Sequence, residues 1–432
     1  MLDIHFVREA PDAVRKNLFK RKDNEKLKWL DDLLEKDKRY RELLQEAQVL
    51  RGKRNELTQQ ITLLKSQKKD AAAKIKEAKL LPEKISKIEA ESGALQEKIS
   101  YYLMRLPNIL LPSVPDGKDS SENTELKRWG KPIKHNFPLK PHGEFLQENG
   151  LADFDRAAKV SGQGFYFLLG DVALLDQAII QFAIQHIVKK GYTFVEPPLM
   201  VRKEAYEGVT DLDDFEKVMY KIEGSDLYLI ATSEHAIGAM FRDEIIDESQ
   251  LPLKYAGLSA CFRKEIGAHG IDTKGLFRVH QFNKVEQFIY CKPEESEALH
   301  EELLKNAEEV FQALAIPYRV VNICVGDIGT VAAKKYDLEA WMPREETYKE
   351  VVSCSNCTTY QAVRSNVKMR RKSGEKEFPH TLNSTAVATS RAIRAIIENF
   401  QEEDGTVKIP KVLHPFMHGV KEIKPLKRAK GK

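Results

Sequence analysis

The sequence lacks any run approaching the ~18 uninterrupted apolar residues of a membrane span, so no membrane partner is expected. Its first nine residues, Met1-Leu-Asp-Ile-His-Phe-Val-Arg-Glu, turn acidic early and contain no apolar stretch of a secretory leader. Cysteine is scarce. The five present (Cys261, Cys291, Cys324, Cys354, Cys357) are odd in number and confined to the second half. That is no disulfide framework, and it suits a reducing, cytoplasmic location. There is no Gly-x-Gly-x-x-Gly and no Gly-Lys-Ser/Thr loop, which removes support for dinucleotide-binding and Walker-type readings. No internal repeat is visible. A large charge imbalance is missing too, with 69 Lys+Arg against 65 Asp+Glu and a net charge of only +4.

What remains is informative. A hydrophobic content of 42% excludes a wholly disordered chain, and 432 residues suggest two or three domains. The 31% of charged residues exceeds the roughly 25% of ordinary globular domains and predicts a long solvated helix. From Trp29 the apolar positions follow a 4-3 spacing through Leu33, (Lys36), Tyr40, Leu43, Ala47, Leu50, (Arg54), Leu57, Ile61 and Leu64. A second seam runs through Ile85, Ile88, (Ser92), Leu95, Ile99, Tyr102 and Leu106, and stops at Pro107. Two seams without a linker predict an antiparallel coiled-coil hairpin. Equal arms put its tip near Gln67–Asp70, whereas Pro82 would favour a tip near Lys79–Pro82. Residues 51–90 hold 11 Lys/Arg against 5 Asp/Glu, a basic excess suited to a polyanion, although a spacer or dimerising coiled coil would look similar. Residues 107–130 have loop composition and mark a boundary. Beyond them helix-like segments (171–189, 294–315, 385–399) alternate with β-rich runs (192–198, 226–232, 260–264, 277–290, 318–325), an α+β body without a regular βαβ repeat. The tail from Lys421 carries six Lys/Arg and one Glu.

Four polar clusters could carry chemistry. In the first, Phe262-Arg263-Lys264-Glu265 is followed by a loop with Gly267, Gly270 and Gly275, then by Phe277-Arg-Val-His-Gln-Phe282. It reads as two strands with Arg263 and Glu265 on one face, where Arg can clasp a phosphate and Phe can stack on a base. The second is Thr232-Ser233-Glu234-His235 with Glu286, suited to an ammonium and a hydroxyl, although a hydroxyl at this position could simply cap a helix. In the third, Glu350-Val-Val-Ser353, a carboxylate and hydroxyl could hold Mg²⁺. The fourth, His380-Thr-Leu-Asn383-Ser-Thr385 through Arg391, reads as a strand, a helix start and an Arg on the second turn, a polyphosphate site. Cys354-Ser-Asn-Cys357 has no second metal-binding pair, so buried free cysteines account for it better than zinc.

In order, the helix 171–189 with the strand that ends at Pro197-Pro198, then Phe262-Arg-x-Glu265 with its return to Phe282, then the strand and helix bearing Arg391 resemble motifs 1, 2 and 3 of the class II aminoacyl-tRNA synthetases. Thr-x-Glu at 232–234, Phe-Arg-Val-His-Gln-Phe-x-Lys-Val-Glu at 277–286, Glu-x-x-Ser-Cys-Ser-Asn at 350–356 and His-Thr-Leu-Asn at 380–383 resemble the seryl-tRNA synthetase family, as does the hairpin arm. The resemblance implies an α+β catalytic domain built on an antiparallel sheet. It implies domains at 1–110 (arm about 27–104) and 131–420, a linker at 111–130 and a basic tail at 421–432. The implied reaction takes serine and ATP to seryl-adenylate, then to seryl-tRNA, in a homodimer.

Arg263 would grip the α-phosphate and the serine carboxylate, with Lys264, Glu265, Val279 and Phe282 around adenine. Glu350 and Ser353 would hold Mg²⁺, beside Val351 and Val352, and Arg391 would take the γ-phosphate. Arg263 and Arg391 would be the catalytic pair. Thr232 and Glu234 would surround the amino group and Glu286 and Thr385 the hydroxyl, with Ser233 and Asn383 also among the serine-binding residues. Lys65, Lys68, Lys69, Lys74 and Lys76 would meet tRNA(Ser) along its long variable arm. Two departures stand out. Glu350-Val-Val-Ser353 replaces the common bacterial Glu-Ile-Ser-Ser, and Asn383-Ser-Thr385 replaces Asn-Gly-Ser, as in the archaeal and eukaryotic branches. A non-catalytic tRNA-binding paralogue and a ligase charging a carrier protein are the rival readings.

Overall fold

The structure, a computed structural model, describes residues 1–210, 218–265 and 275–425. It forms two compact units, Leu2–Leu106 and a body that starts at Pro107 and takes in Met1. In the first unit, helices α1 (Ile4–Glu9) and α2 (Pro11–Lys20) precede two long ones, α3 (Asn24–Ser66) and α4 (Ala72–Arg105). Asp23 caps α3 by accepting from the Lys26 amide at 3.0 Å. The long helices run antiparallel: Trp29 meets Tyr102, Arg39 pairs with Glu91, Lys53 with Glu77, and Lys74 reaches Gln60. Leu43, Ala47 and Ile88, then Leu57, Leu81 and Ile85, form the buried seam.

The turn falls at residues 67–71, on the equal-arm expectation. Lys68 takes φ +56°, the left-handed conformation that ends many helices, and the Lys69 amide donates to Leu64 O at 2.9 Å. Pro82 stays inside α4 with its ring exposed. The buried seam takes in Leu30, Leu81 and Leu103 beyond the positions of the 4-3 spacing, and it carries a charged residue. Asp37, not Lys36, is buried, because α2 packs on α3 there and Arg8 and Arg41 neutralise the carboxylate at 2.6 and 3.0 Å.

The body is built on an eight-stranded sheet among the described residues. In chain order its strands are β1 (Thr124–Trp129), β2 (Thr193–Val195), β3 (Leu253–Phe262), β4 (Gln281–Cys291), β5 (Tyr318–Asn322), β6 (Lys334–Met342), β7 (Thr347–Thr358) and β8 (His380–Ala388). Their spatial order is β1-β5-β6-β7-β8-β4-β3-β2. Every neighbouring pair is antiparallel except β2 with β3, which is parallel. Helices α5 (Gly170–Val188), α6 (Ser296–Ala313) and α7 (Thr389–Phe400) pack on the sheet and share its main core. Along β4 the period-2 alternation sends Val285 and Ile289 into that core, while Lys284 and Glu286 face the other way.

Three boundaries differ from expectation. Residues 124–129, inside the supposed linker, are an edge strand paired with Tyr318–Asn322, so the body begins well before residue 131. The segment from Thr385 to Ala388 continues a strand, because it pairs with β4, and the helix starts only at Thr389. Glu422–Ile423 pairs with Val407–Lys408, so the first residues of the basic tail belong to the fold.

Candidate active site

A cavity of about 420 Å³ opens on the sheet face that carries Lys284 and Glu286, with the first turn of α7 and the short helix Ser233–Gly238 contributing to its walls. The elements lining it position their side chains by three local devices. The first is a bulge in β7. In a regular strand Glu350 and Ser353, three residues apart, would point to opposite faces. The ladder pairs Val352 with Leu338 and Glu350 with Glu339, leaving Val351 unpaired, and this extra residue brings both groups to the cavity. The second is a bulge in β8. Thr385 pairs with Glu286 and Val387 with Val285, so Ala386 is extra, Thr385 and Ala388 both reach the cavity and Val387 goes to the core.

The third is the end of β3. The strand stops at Phe262, and Glu265 takes φ +45°, so Arg263 and Glu265 do not share a strand face. Both still line the cavity, because the Arg263 amide donates to His280 O and the Lys264 amide to Val218 O, each at 2.9 Å. The returning strand likewise starts at Gln281, not Phe277. Gly275 is required before it, since a Cβ there would lie 2.4 Å from His142 Nε2, which accepts from the Leu276 amide at 2.8 Å. Gly267 and Gly270 lie outside the described residues.

At one end of the cavity the Arg263 guanidinium sits 5.3 Å from the centre of the Phe282 ring, with Val279 and Glu265 beside it. Glu265 meets Arg278 at 3.8 Å. Arg391, on the first turn of its helix and not the second, donates to the Glu350 carbonyl at 2.9 Å and carboxylate at 3.2 Å. Burial pushes Glu350 up, but Arg391, Lys335 and Arg263 together outweigh it and hold the carboxylate below its ordinary value. Among the described residues no cluster of three His, Cys, Asp or Glu side chains could hold a metal by itself. Two hard oxygen donors, Glu350 and Ser353, still fit Mg²⁺ that takes its remaining ligands from phosphate and water.

The other end holds two carboxylates. Glu286 is 2% exposed and pairs with Lys284 at 2.6 Å, and Thr385 Oγ1 donates to the same oxygen at 3.2 Å. Glu234 accepts from Gln361 at 2.8 Å and from Asn383 at 3.0 Å. Burial raises the Glu234 pKa to about 7. Glu286 adds to the rise, and Lys284, Gln361 and Arg263 oppose it. Thr232 caps the short helix Ser233–Gly238 and also lines the cavity.

Three expected residues do not line it. Ser233 Oγ donates to Gly257 O at 3.2 Å and docks its helix on β3, where a Cβ on residue 257 would lie 2.6 Å from that oxygen. Val352 points into the main core, and Lys264 lies over the Tyr220 ring. In the sequence His235 stands in a polar cluster without a role of its own, and neither Lys284 nor Lys335 is marked as a site residue, yet all three line the cavity. Burial, with Lys284 and Arg263, keeps His235 well below its ordinary value. Lys284 could have been found, since it stands two residues before Glu286 on the same strand face. Lys335 depends on pairing between β6 and β7 and carries no local signal. Cys354 and Cys357 are buried and free. On the arm, Lys65, Lys68, Lys69 and Lys76 are exposed and Lys74 is partly covered.

Two family models match this architecture, "Seryl-tRNA synthetase N-terminal domain" over residues 1–110 and "tRNA synthetase class II core domain (G, H, P, S and T)" over 217–400. The serine–tRNA ligase of Methanocella arvoryzae is 60% identical over 425 residues, covering 98% of this chain and 100% of that one. The chain belongs to the seryl-tRNA synthetase family. A solved structure of the Pyrococcus horikoshii seryl-tRNA synthetase complexed with ATP superposes with a TM-score of 0.91 at 50% identity, covering 98% and 100% of the two chains. The cytoplasmic serine–tRNA ligase of Naegleria fowleri in complex with AMP gives 0.86 at 34% identity, covering 98% and 99%. The family's catalytic core is therefore the antiparallel sheet described above, and its N-terminal domain is the helical unit.

An ammonium group placed against Glu234 would form an ion pair only with the ionised carboxylate. The KM for the amino acid should accordingly fall as pH rises through about 7, while the KM for ATP stays level. Steady-state pyrophosphate exchange at constant ionic strength checks this, and an amino acid KM that rises with pH would contradict it.

Proposed function

We propose that serine and Mg-ATP meet in the cavity lined by Arg263, Glu234, Glu286, Glu350 and Arg391, and that the helical arm holds the tRNA. The reaction is the ATP-dependent joining of serine to tRNA(Ser), through seryl-adenylate and with release of pyrophosphate. One observation carries the assignment of the site. Two anchored carboxylates occupy one end of a cavity whose other end offers Arg391 and two hard oxygen donors, and Arg263 lies close enough to Glu234 and Glu350 to act on both. In this reading Arg263 stands between the halves and binds both the serine carboxylate and the α-phosphate. Glu234, with Thr232 beside it, takes the ammonium and Glu286 the hydroxyl. Phe282 stacks on adenine, and Glu265 accepts from its amino group once released from Arg278. Arg391 leaves Glu350 for the γ-phosphate. Mg²⁺ on Glu350 and Ser353 would neutralise phosphate charge. Placement and charge stabilisation supply the rate, with no covalent enzyme intermediate.

Purified protein should exchange pyrophosphate into ATP when serine is supplied and lose that activity when Mg²⁺ is chelated. Alanine and glycine, which would leave the Glu286 site unpaired, should be rejected by roughly 10⁴. Exchange with a different amino acid and none with serine would refute the site assignment.

A homodimer is part of the proposal. Val188, Phe194, Leu199 and Met200, on the segment from the end of α5 through β2 to residue 200, are 41, 39, 40 and 47% exposed, apolar surface suited to a self-complementary contact. Light scattering at micromolar concentration should give about twice 49.4 kDa. A mass near the single-chain value excludes the dimer.

For the arm, the basic surface at Lys65, Lys68, Lys69, Lys74 and Lys76 suits an RNA backbone recognised by shape. Reversing Lys68 and Lys69 to Glu should raise the tRNA KM and flatten its salt dependence by about one slope unit per lost phosphate contact. Serine and ATP KM should not move. A change confined to those two substrates would mean the arm serves the cavity instead.

A further inference from the structure

The two carboxylates of the cavity are held in the same manner. In Glu234 both donors, Gln361 Nε2 at 2.8 Å and Asn383 Nδ2 at 3.0 Å, converge on Oε1. In Glu286 both donors, Lys284 Nζ at 2.6 Å and Thr385 Oγ1 at 3.2 Å, converge on Oε2. Each carboxylate thus has one oxygen fixed by two protein groups.

Behind Glu234 the arrangement is layered. Gln361 is itself aimed by Thr381, whose hydroxyl donates to Gln361 Oε1 at 2.7 Å, and its amide also donates to Val209 O at 3.1 Å. Behind Glu286 there is a cation. Lys284 is 6% exposed, on the same face of β4, and lines the same cavity. A buried ammonium is costly unless paired, and Lys284 forms an ion pair with Glu286.

We infer that Lys284 is a specificity-determining positioning residue: with Thr385 it saturates Glu286 Oε2, leaving Oε1 to accept the substrate hydroxyl. The inference rests on the serine reading of the cavity and deepens it. It also gives Thr385 a task beyond a direct contact, since its hydroxyl proton is already given to Glu286 and only its acceptor capacity is left for a ligand. Charge makes the same point. With a zwitterionic serine bound, Glu234 faces the ammonium and Arg263 the carboxylate, which leaves Glu286 to be balanced by Lys284 alone. Without Lys284 the hydroxyl pocket carries an uncompensated negative charge. That charge no longer suits a neutral hydroxyl in preference to water or a cation.

The test is a double-mutant cycle on the full-length protein, read by serine-dependent pyrophosphate exchange with Lys284→Met, Glu286→Gln and both together. Lys284→Met should lower kcat/KM for serine by at least about tenfold, with the ATP KM within about twofold of the parent. The double variant should be no worse than Glu286→Gln alone, because the lysine acts on the hydroxyl through that carboxylate and its loss of pull on Glu234 is offset by the loss of the push from Glu286. Lys284→Arg, which keeps the charge, should recover part of the loss. The double variant removes both buried charges, so it provides a folded reference should Lys284→Met unfold. Independent, multiplicative losses in the cycle would overturn the inference. So would an ATP KM that shifts as far as the serine KM. Absence of serine exchange in the unmodified protein would instead refute the serine reading on which it stands.

Discussion

A carboxylate taken out of water needs a counterion, and Glu286, 2% exposed, has Lys284 at 2.6 Å. Much of the body can be read as support for that pair. Both residues project from β4, the strand flanked on one side by β8 and on the other by β3. A central strand is fixed by two ladders, so the pair is carried on a rigid part of the sheet. The opposite face of the same strand is held by Val285 and Ile289 in the main core. Breaking such a buried pair by removing one partner costs about 3–5 kcal/mol in proteins generally. In the proposed reading that cost falls at the place where a hydroxyl must be told from a methyl.

The cavity also separates two carboxylates by environment. Glu286 keeps a lysine, whereas Glu234 is held by two neutral amides and is pushed to a pKa of about 7 by burial and by Glu286. Neutral donors fix orientation without cancelling charge, which leaves Glu234 free to meet an ammonium. At the far end the logic is reversed. Arg391 and Glu350 are paired with each other, so polyphosphate and metal would each displace one partner of an existing ion pair. Exchanging one ionic contact for another keeps the net electrostatic change small until the charges of the transition state develop.

Bulges decide which groups share the cavity. Without the extra residue at Val351, Glu350 and Ser353 would lie on opposite faces of β7, and without Ala386 either Thr385 or Ala388 would be turned into the core. An unpaired residue in each ladder is the cost of converging several side chains on one point from a surface whose natural period is two.

The arm's seam was legible in the sequence because a two-helix interface is written in local periodicity, and Leu43, Ala47, Ile85 and Ile88 are buried as that spacing requires. The family was legible because its clusters stand in a fixed order, and Arg263, Glu234, Glu286 and Arg391 converge although they lie up to 157 residues apart in the chain. What the sequence could not supply was anything set by partners across a ladder or from another helix. The burial of Asp37 needed Arg8, and the strand at 124–129 needed Tyr318–Asn322. The shared cavity of Glu350 and Ser353 needed β6 to leave Val351 unpaired, and Lys335 needed β7 beside it. Periodicity states which face a residue prefers. Only the tertiary structure states what waits on that face, because a hydrogen bond or an ion pair is a property of two segments and not of one.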